Sequence, residues 1–68
     1  MKAISGRDFA KLLKEHGWEL MRVKGSHHVY MKHGNSARIS VPIHHNKSLK
    51  IGLQRHMMKV AGILEDEL

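Results

Sequence analysis

Cysteine is absent from this chain. Its absence removes disulfides, thiolate metal sites and cysteine nucleophiles together. Aromatic residues are scarce, with only Phe9, Trp18 and Tyr30, which argues against single-strand binding by base stacking alone. No apolar run approaches the ~20 residues of a membrane span. The opening residues Met1-Lys2-Ala3-Ile4-Ser5-Gly6 hold no apolar stretch of the secretory kind, so the chain reads as cytoplasmic. Carboxylates are few as well. Six Asp and Glu oppose twelve Lys and Arg, and three of those acids sit in the last four residues.

What remains is a short, basic, histidine-rich chain. Sixty-eight residues make a single domain, 1–68. A chain of this size buries only about 60% of the surface its unfolded form exposes, so it builds one modest core. There is no room for separate cofactor and substrate halves, and no cofactor is expected. The body carries more positive charge than the net +6 implies, and seven histidines add to it as pH falls. Such a balance points to a polyanion, nucleic acid or a membrane surface. No basic amphipathic helix with a strong aromatic face is present, which disfavours the membrane.

The hydrophobic pattern sets the element order. Ser5 is a candidate N-cap with Asp8 three residues on, and Phe9, Leu12 and Leu13 follow at helical spacing. This predicts a helix over 6–16, closed by Gly17 in a left-handed conformation. Residues 18–24 read as a strand with Trp18, Leu20 and Arg22 on one side and Glu19, Met21 and Val23 on the other. Gly25-Ser26 is a turn, and 27–32 is a second strand with His27, Val29 and Met31 opposed to His28, Tyr30 and Lys32. His33-Gly34-Asn35-Ser36 is a turn by composition, and 37–41 alternates as the clearest strand before Pro42 ends it. Residues 43–48 form a loop. A second helix is expected over 49–61, capped by Ser48 or Asn46 and ended by Gly62, with Ile51, Met57, Met58, Val60 and Ala61 supplying apolar area. No repeat, low-complexity tract or linker is visible. The order α-β-β-β-α defines an α+β, two-layer fold, a three-stranded antiparallel sheet with two helices on one face and the other face open.

The chemistry concentrates in Lys24-Gly25-Ser26-His27-His28. Imidazole exchanges protons near neutral pH without a large imposed shift. Gly25 lets a bulky anion come close, and Lys24 offers it positive charge. Lys47 and Lys50 are further candidates to hold a phosphate, Ser26 can position it, and His44 can supply a second proton-transfer group. A proton acceptor, a proton donor and cations around the anion together form the set that metal-free chemistry at a phosphate requires. A catalytic metal is not expected. Adjacent histidines on a strand point to opposite faces, and no nearby carboxylate would orient them. His16, His33 and His56 read as structural or solvated.

These residues also carry a family likeness. The opening helix closed by Gly17-Trp18, the run Arg22-Val23-Lys24-Gly25-Ser26-His27-His28, and Val41-Pro42 followed by His44 occur in order. Leu49-Lys50-Ile51-Gly52 and Lys59-Val60-Ala61-Gly62 complete the series. Over nearly its whole length the chain resembles the HicA (YcfA-like) toxin family, the mRNA interferases of bacterial toxin–antitoxin pairs. The resemblance implies a double-stranded-RNA-binding-domain-like fold and endoribonuclease activity on mRNA. It also implies a HicB-type antitoxin that neutralises the toxin as a hetero-oligomer, the free toxin being monomeric. The family's essential histidine follows Gly-Ser directly, here His27, or in some members one position later, here His28. An aromatic at the Tyr30 position implies that Tyr30 packs inward and His27 faces outward. Two other classes stay open on the residues alone: a basic module that binds RNA without cutting it, and an interaction module for an acidic protein. If a protein partner docks, Val29, Met31 and the Met57-Met58 region are the expected apolar anchors.

Overall fold

The computed structural model describes all 68 residues. Helix α1 spans Gly6–Glu15, strands β1, β2 and β3 span Glu19–Lys24, His27–Lys32 and Asn35–Pro42, helix α2 spans Ile51–Ala61, and a 3-10 turn covers Glu65–Glu67. The strands form one antiparallel sheet in the order β1-β2-β3. This is the expected α-β-β-β-α order, and it is compatible with a double-stranded-RNA-binding-domain-like arrangement. No helix is long and apolar enough to cross a membrane.

Helix α1 forms where local chemistry favours it. The Ser5 side chain accepts a hydrogen bond from the Asp8 N–H at 3.1 Å, which satisfies one of the free donors of the first turn. Phe9, Ala10 and Leu13 turn inward onto the sheet, while Lys11, Lys14 and Glu15 face solvent. Gly17 follows the cap at φ +89°, so the chain reverses into β1 without side-chain strain. Gly6 starts the helix hard against the last residue of β3. A Cβ there would meet the Pro42 carbonyl oxygen at 2.2 Å.

The core is a single cluster. Trp18, Tyr30, Ile39 and Val41 from the sheet side meet Phe9 and Leu13 of α1 and Met57 and Met58 of α2, with Ile4, Leu49 and Ile63 closing it. Gln54 is the one buried polar side chain, fully enclosed. Its Oε1 accepts from the Ile4 N–H at 3.0 Å, and its Nε2 donates to the Lys2 carbonyl at 2.7 Å. This clamp ties the first residues to α2. The Trp18 indole N–H is buried without a partner, which costs about 1–3 kcal/mol that its ring burial must offset.

Four expectations are corrected here. Helix α2 begins at Ile51 rather than at 49, its N-cap is Lys50, and no side chain caps it. Ser48 instead bridges Ser5, and the Leu49 N–H donates to the Ile4 carbonyl at 2.8 Å, so this stretch is held extended against the N-terminal segment. In β1 a bulge between Leu20 and Arg22 shifts the alternation. Leu20 pairs with Tyr30 and Val23 with His28, so these two share a side, while Arg22 pairs with Val29. Met57 and Met58 are buried in the core and present no exposed anchor. Strand β3 also starts earlier than expected, at Asn35, because the turn needs only His33-Gly34, with Gly34 at φ +80°.

Register fixes what each face carries. Tyr30 opposite Ile39 and His28 opposite Val41 lie on the helix-covered side, since Ile39 and Val41 are buried. His27 opposite Pro42, Val29 opposite Ser40 and Met31 opposite Arg38 lie on the open side. Arg22 and Lys24 join them from β1.

Candidate active site

The β1–β2 hairpin closes through Gly25-Ser26, with Gly25 at φ +59° and Ser26 in ordinary negative φ, the type II′ pattern that suits a two-residue hairpin. Lys24 and His27 therefore stand opposite each other as the first pair of the ladder, on the open face. The Ser26 carbonyl accepts the Ile43 N–H at 2.8 Å, which draws the loop after β3 against the hairpin. As a result the Ser26 hydroxyl lies 3.4 Å from His44 Nε2. On the neighbouring strand His27 Nδ1 lies 3.3 Å from the Ser40 hydroxyl. The loop is held in turn by the Lys47 N–H donating to the His44 carbonyl at 3.0 Å, with His45 in left-handed backbone at φ +54°.

These ties enclose a cleft of about 380 Å³ where the sheet ends and the 43–50 loop begins. His27, His44, Lys47 and Lys50 supply its ionisable groups. Pro42, Leu49 and Leu53 supply apolar wall. Four of the residues singled out in the sequence are thus brought to one place. Lys24 flanks them on the open face across from His27, and Ser26 joins through its contact with His44. Gly25 lies at the hairpin tip with nothing within 4 Å of where its Cβ would stand, so it leaves open approach. His28 is not part of this group. It is half-buried on the helix-covered side, across from Val41.

Ser40, Pro42 and Leu53 are members that sequence reasoning missed. Ser40 is a polar position of the alternating strand β3. Only the β2–β3 register shows that its face is that of His27. Leu53 is 37% exposed on α2 and borders the cleft.

The electrostatics are one-signed. No Asp or Glu occurs between Glu19 and Glu65, and Glu19 stands at the end of β1 remote from His27, across from Met31. Of the terminal acids, Glu65 lies 3.5 Å from the Met1 ammonium. Glu67 accepts from the Leu64 N–H at 2.8 Å and bonds His16, and these contacts, the backbone one foremost, hold its carboxyl below the ordinary carboxylate range. On the covered side, burial pushes the Tyr30 phenol above its usual value. No three His, Asp or Glu side chains cluster so as to hold a metal ion.

An exposed sheet face carrying Arg22, Lys24 and Arg38 and ending at two imidazoles and two lysines gives this small α+β domain one strongly basic side. The family model described as HicA toxin of bacterial toxin-antitoxin matches residues 6–63, from the first residue of α1 to the buried Ile63 beyond α2. The chain belongs to this family. It is therefore a toxin of the toxin–antitoxin kind, with an antitoxin as its partner. No curated protein matches it.

Proposed function

We propose that this toxin is a metal-independent endoribonuclease that cleaves mRNA in the cytoplasm, with His27 as its catalytic histidine and a HicB-type antitoxin as its inhibitor. The observation that carries the reading is the meeting of His27 and His44 in one cation-rimmed cleft. Cleavage of RNA without a metal is a transesterification. One imidazole takes the proton of the 2′-hydroxyl as that oxygen attacks phosphorus. The other gives a proton to the 5′-oxygen as its bond to phosphorus breaks, leaving a 2′,3′-cyclic phosphate and a free 5′-hydroxyl. Each such group is worth ~10²–10⁴-fold when correctly placed. Lys24, Lys47 and Lys50 stabilise the charge that develops on the phosphate, usually the largest contribution. Gly25 leaves the approach clear. The hydroxyl of Ser40 at His27 and that of Ser26 at His44 each engage one ring nitrogen, which leaves His27 Nε2 and His44 Nδ1 for the substrate. His28 is the second choice for the catalytic histidine, disfavoured by its half-buried place on the covered side. The antitoxin neutralises the toxin in a hetero-oligomer by covering the surface that RNA uses, and the free toxin is monomeric.

The test compares His27→Ala and His28→Ala for growth arrest on expression and for cleavage of RNA by the purified protein. Loss of both activities in His27→Ala with the fold retained is expected. Full activity in His27→Ala together with loss in His28→Ala moves the assignment by one residue. Unchanged toxicity in both, with RNA binding weakened by Lys47→Ala and Lys50→Ala, identifies a non-catalytic RNA-binding module instead.

A further inference from the structure

Resting on the nuclease reading, we propose that the cleft beside His27 is a nucleobase subsite. It seats one unpaired nucleotide of the RNA, its base against Leu53 and Pro42 above Leu49 and its phosphate toward Lys47 and Lys50. The volume, about 380 Å³, falls in the ~300–1,000 Å³ range of small-ligand sites. The lining is of two kinds, apolar from Pro42, Leu49 and Leu53 and cationic from Lys47 and Lys50, and a nucleotide has both a flat apolar base and an anionic phosphate. Leu53 is left 37% exposed, whereas Met57 and Met58 further along the same helix are buried. An occupant that covers Leu53 removes apolar area from water, worth roughly 25 cal/mol per Å².

The aromatic residues sharpen the inference. Single strands are usually held by stacking their bases on exposed aromatic rings. Phe9, Trp18 and Tyr30 are all buried in this protein, so the open sheet face offers charge without a stacking platform. The cleft joins an apolar wall directly to His27, and a base that enters it brings its own ribose and phosphate to the imidazoles. A paired base cannot enter, because its faces are stacked and its edge is occupied. The substrate at the cleavage point is consequently unpaired RNA, although domains of this shape elsewhere read duplexes across the minor groove.

The test reads binding separately from cleavage. Adenosine 5′-monophosphate, cytidine 5′-monophosphate and ribose 5-phosphate are titrated into the ¹⁵N-labelled wild-type protein. The nucleotides are expected to shift the amides of Leu49, Lys50 and Leu53 and to bind roughly fivefold or more tightly than ribose 5-phosphate, the equivalent of about 1 kcal/mol. Leu53→Asn should bring nucleotide affinity down to that of ribose 5-phosphate while leaving the latter unchanged, and Leu53→Met should retain the difference. Equal affinity for all three probes, or shifts confined to Arg22, Lys24 and Arg38, overturns the subsite. A parallel assay cuts one RNA sequence as a single strand and as a duplex, and cleavage of the duplex at an equal or higher rate also overturns it. Nucleotide seated in the cleft with no cleavage of any RNA supports the subsite and removes the nuclease reading. Cleavage with no contribution from the base removes the subsite alone.

Discussion

Replacing Gly6 by alanine should destabilise the protein even though alanine is the better helix former. Gly6 opens α1, and a Cβ built there falls 2.2 Å from the Pro42 carbonyl oxygen and 3.2 Å from its carbonyl carbon, well inside the 3.0 Å limit that real Cβ contacts respect for the first of these. The obstructing atoms are backbone and cannot rotate away. Pro42 is also the last residue of β3, paired across from His27. In favour of alanine stands the helix propensity, at most about 1 kcal/mol. Against it stands the overpacking, about 1–3 kcal/mol and at the upper end when the backbone must move. The net expectation is a loss of about 1–2 kcal/mol. With a urea m-value of about 1 kcal/mol/M for so small a domain, the midpoint should fall by about 1–2 M at unchanged slope. Gly52 provides the control. It lies in the first turn of α2 with nothing within 4 Å of its Cβ position and no positive φ, so Gly52→Ala should raise the midpoint by up to about 1 M. Urea unfolding followed by circular dichroism measures both. A Gly6→Ala protein as stable as wild type, or more so, would refute the close packing of α1 on the end of β3.

Three further outcomes follow. Gln54→Leu should lower stability by about 1–3 kcal/mol, since the Ile4 N–H and the Lys2 carbonyl then lose their buried partner, and the same urea titration checks it. The Glu67 carboxyl is held lower in the folded chain than in the unfolded one, so its contribution is complete above about pH 4.5 and is lost as pH falls through the lowered folded value. The stability difference between wild type and Glu67→Gln should therefore shrink as pH drops below that point, and a difference that stays constant down the acid range contradicts the assignment. RNA cleavage should survive excess EDTA, whereas activity lost on chelation and restored by zinc or manganese sinks the metal-free mechanism.

Legibility followed the range of the interactions concerned. Helix α1 was readable because its cap, its apolar spacing and its closing glycine all lie within thirteen residues, Ser5 to Gly17. The start of α2 was not readable, because Ser5 and Ile4 fix residues 48 and 49 from the far end of the chain. The β1 bulge displaces Leu20 and Val23 onto one side, and no residue type in Glu19–Lys24 announces it. Met57 and Met58 were taken as possible surface anchors because an apolar helix face looks the same in sequence whether it meets a core or a partner. Gln54 was passed over for the converse reason, a polar side chain whose partners stand some fifty positions away. At the site, strand alternation set His27 and Tyr30 on opposite faces, and the family resemblance implied that Tyr30 was the inward one, as the structure has it. The gathering of His44, Lys47, Lys50 and Leu53 around His27 depends on the Ile43 to Ser26 tie, which only the folded chain reveals.

The Gln54 clamp also sets the order in which a ribosome can finish this molecule. Lys2 and Ile4 leave the exit tunnel well before Gln54, which is translated on the order of a few seconds later at bacterial elongation rates. Until then the Ile4 N–H is left to water, and the core lacks Met57, Met58 and Ile63. A nascent chain therefore stays unfolded for most of its synthesis. A chain cut short before Gln54 lacks both the side chain that holds Lys2 and Ile4 and the Met57, Met58 and Ile63 part of the core.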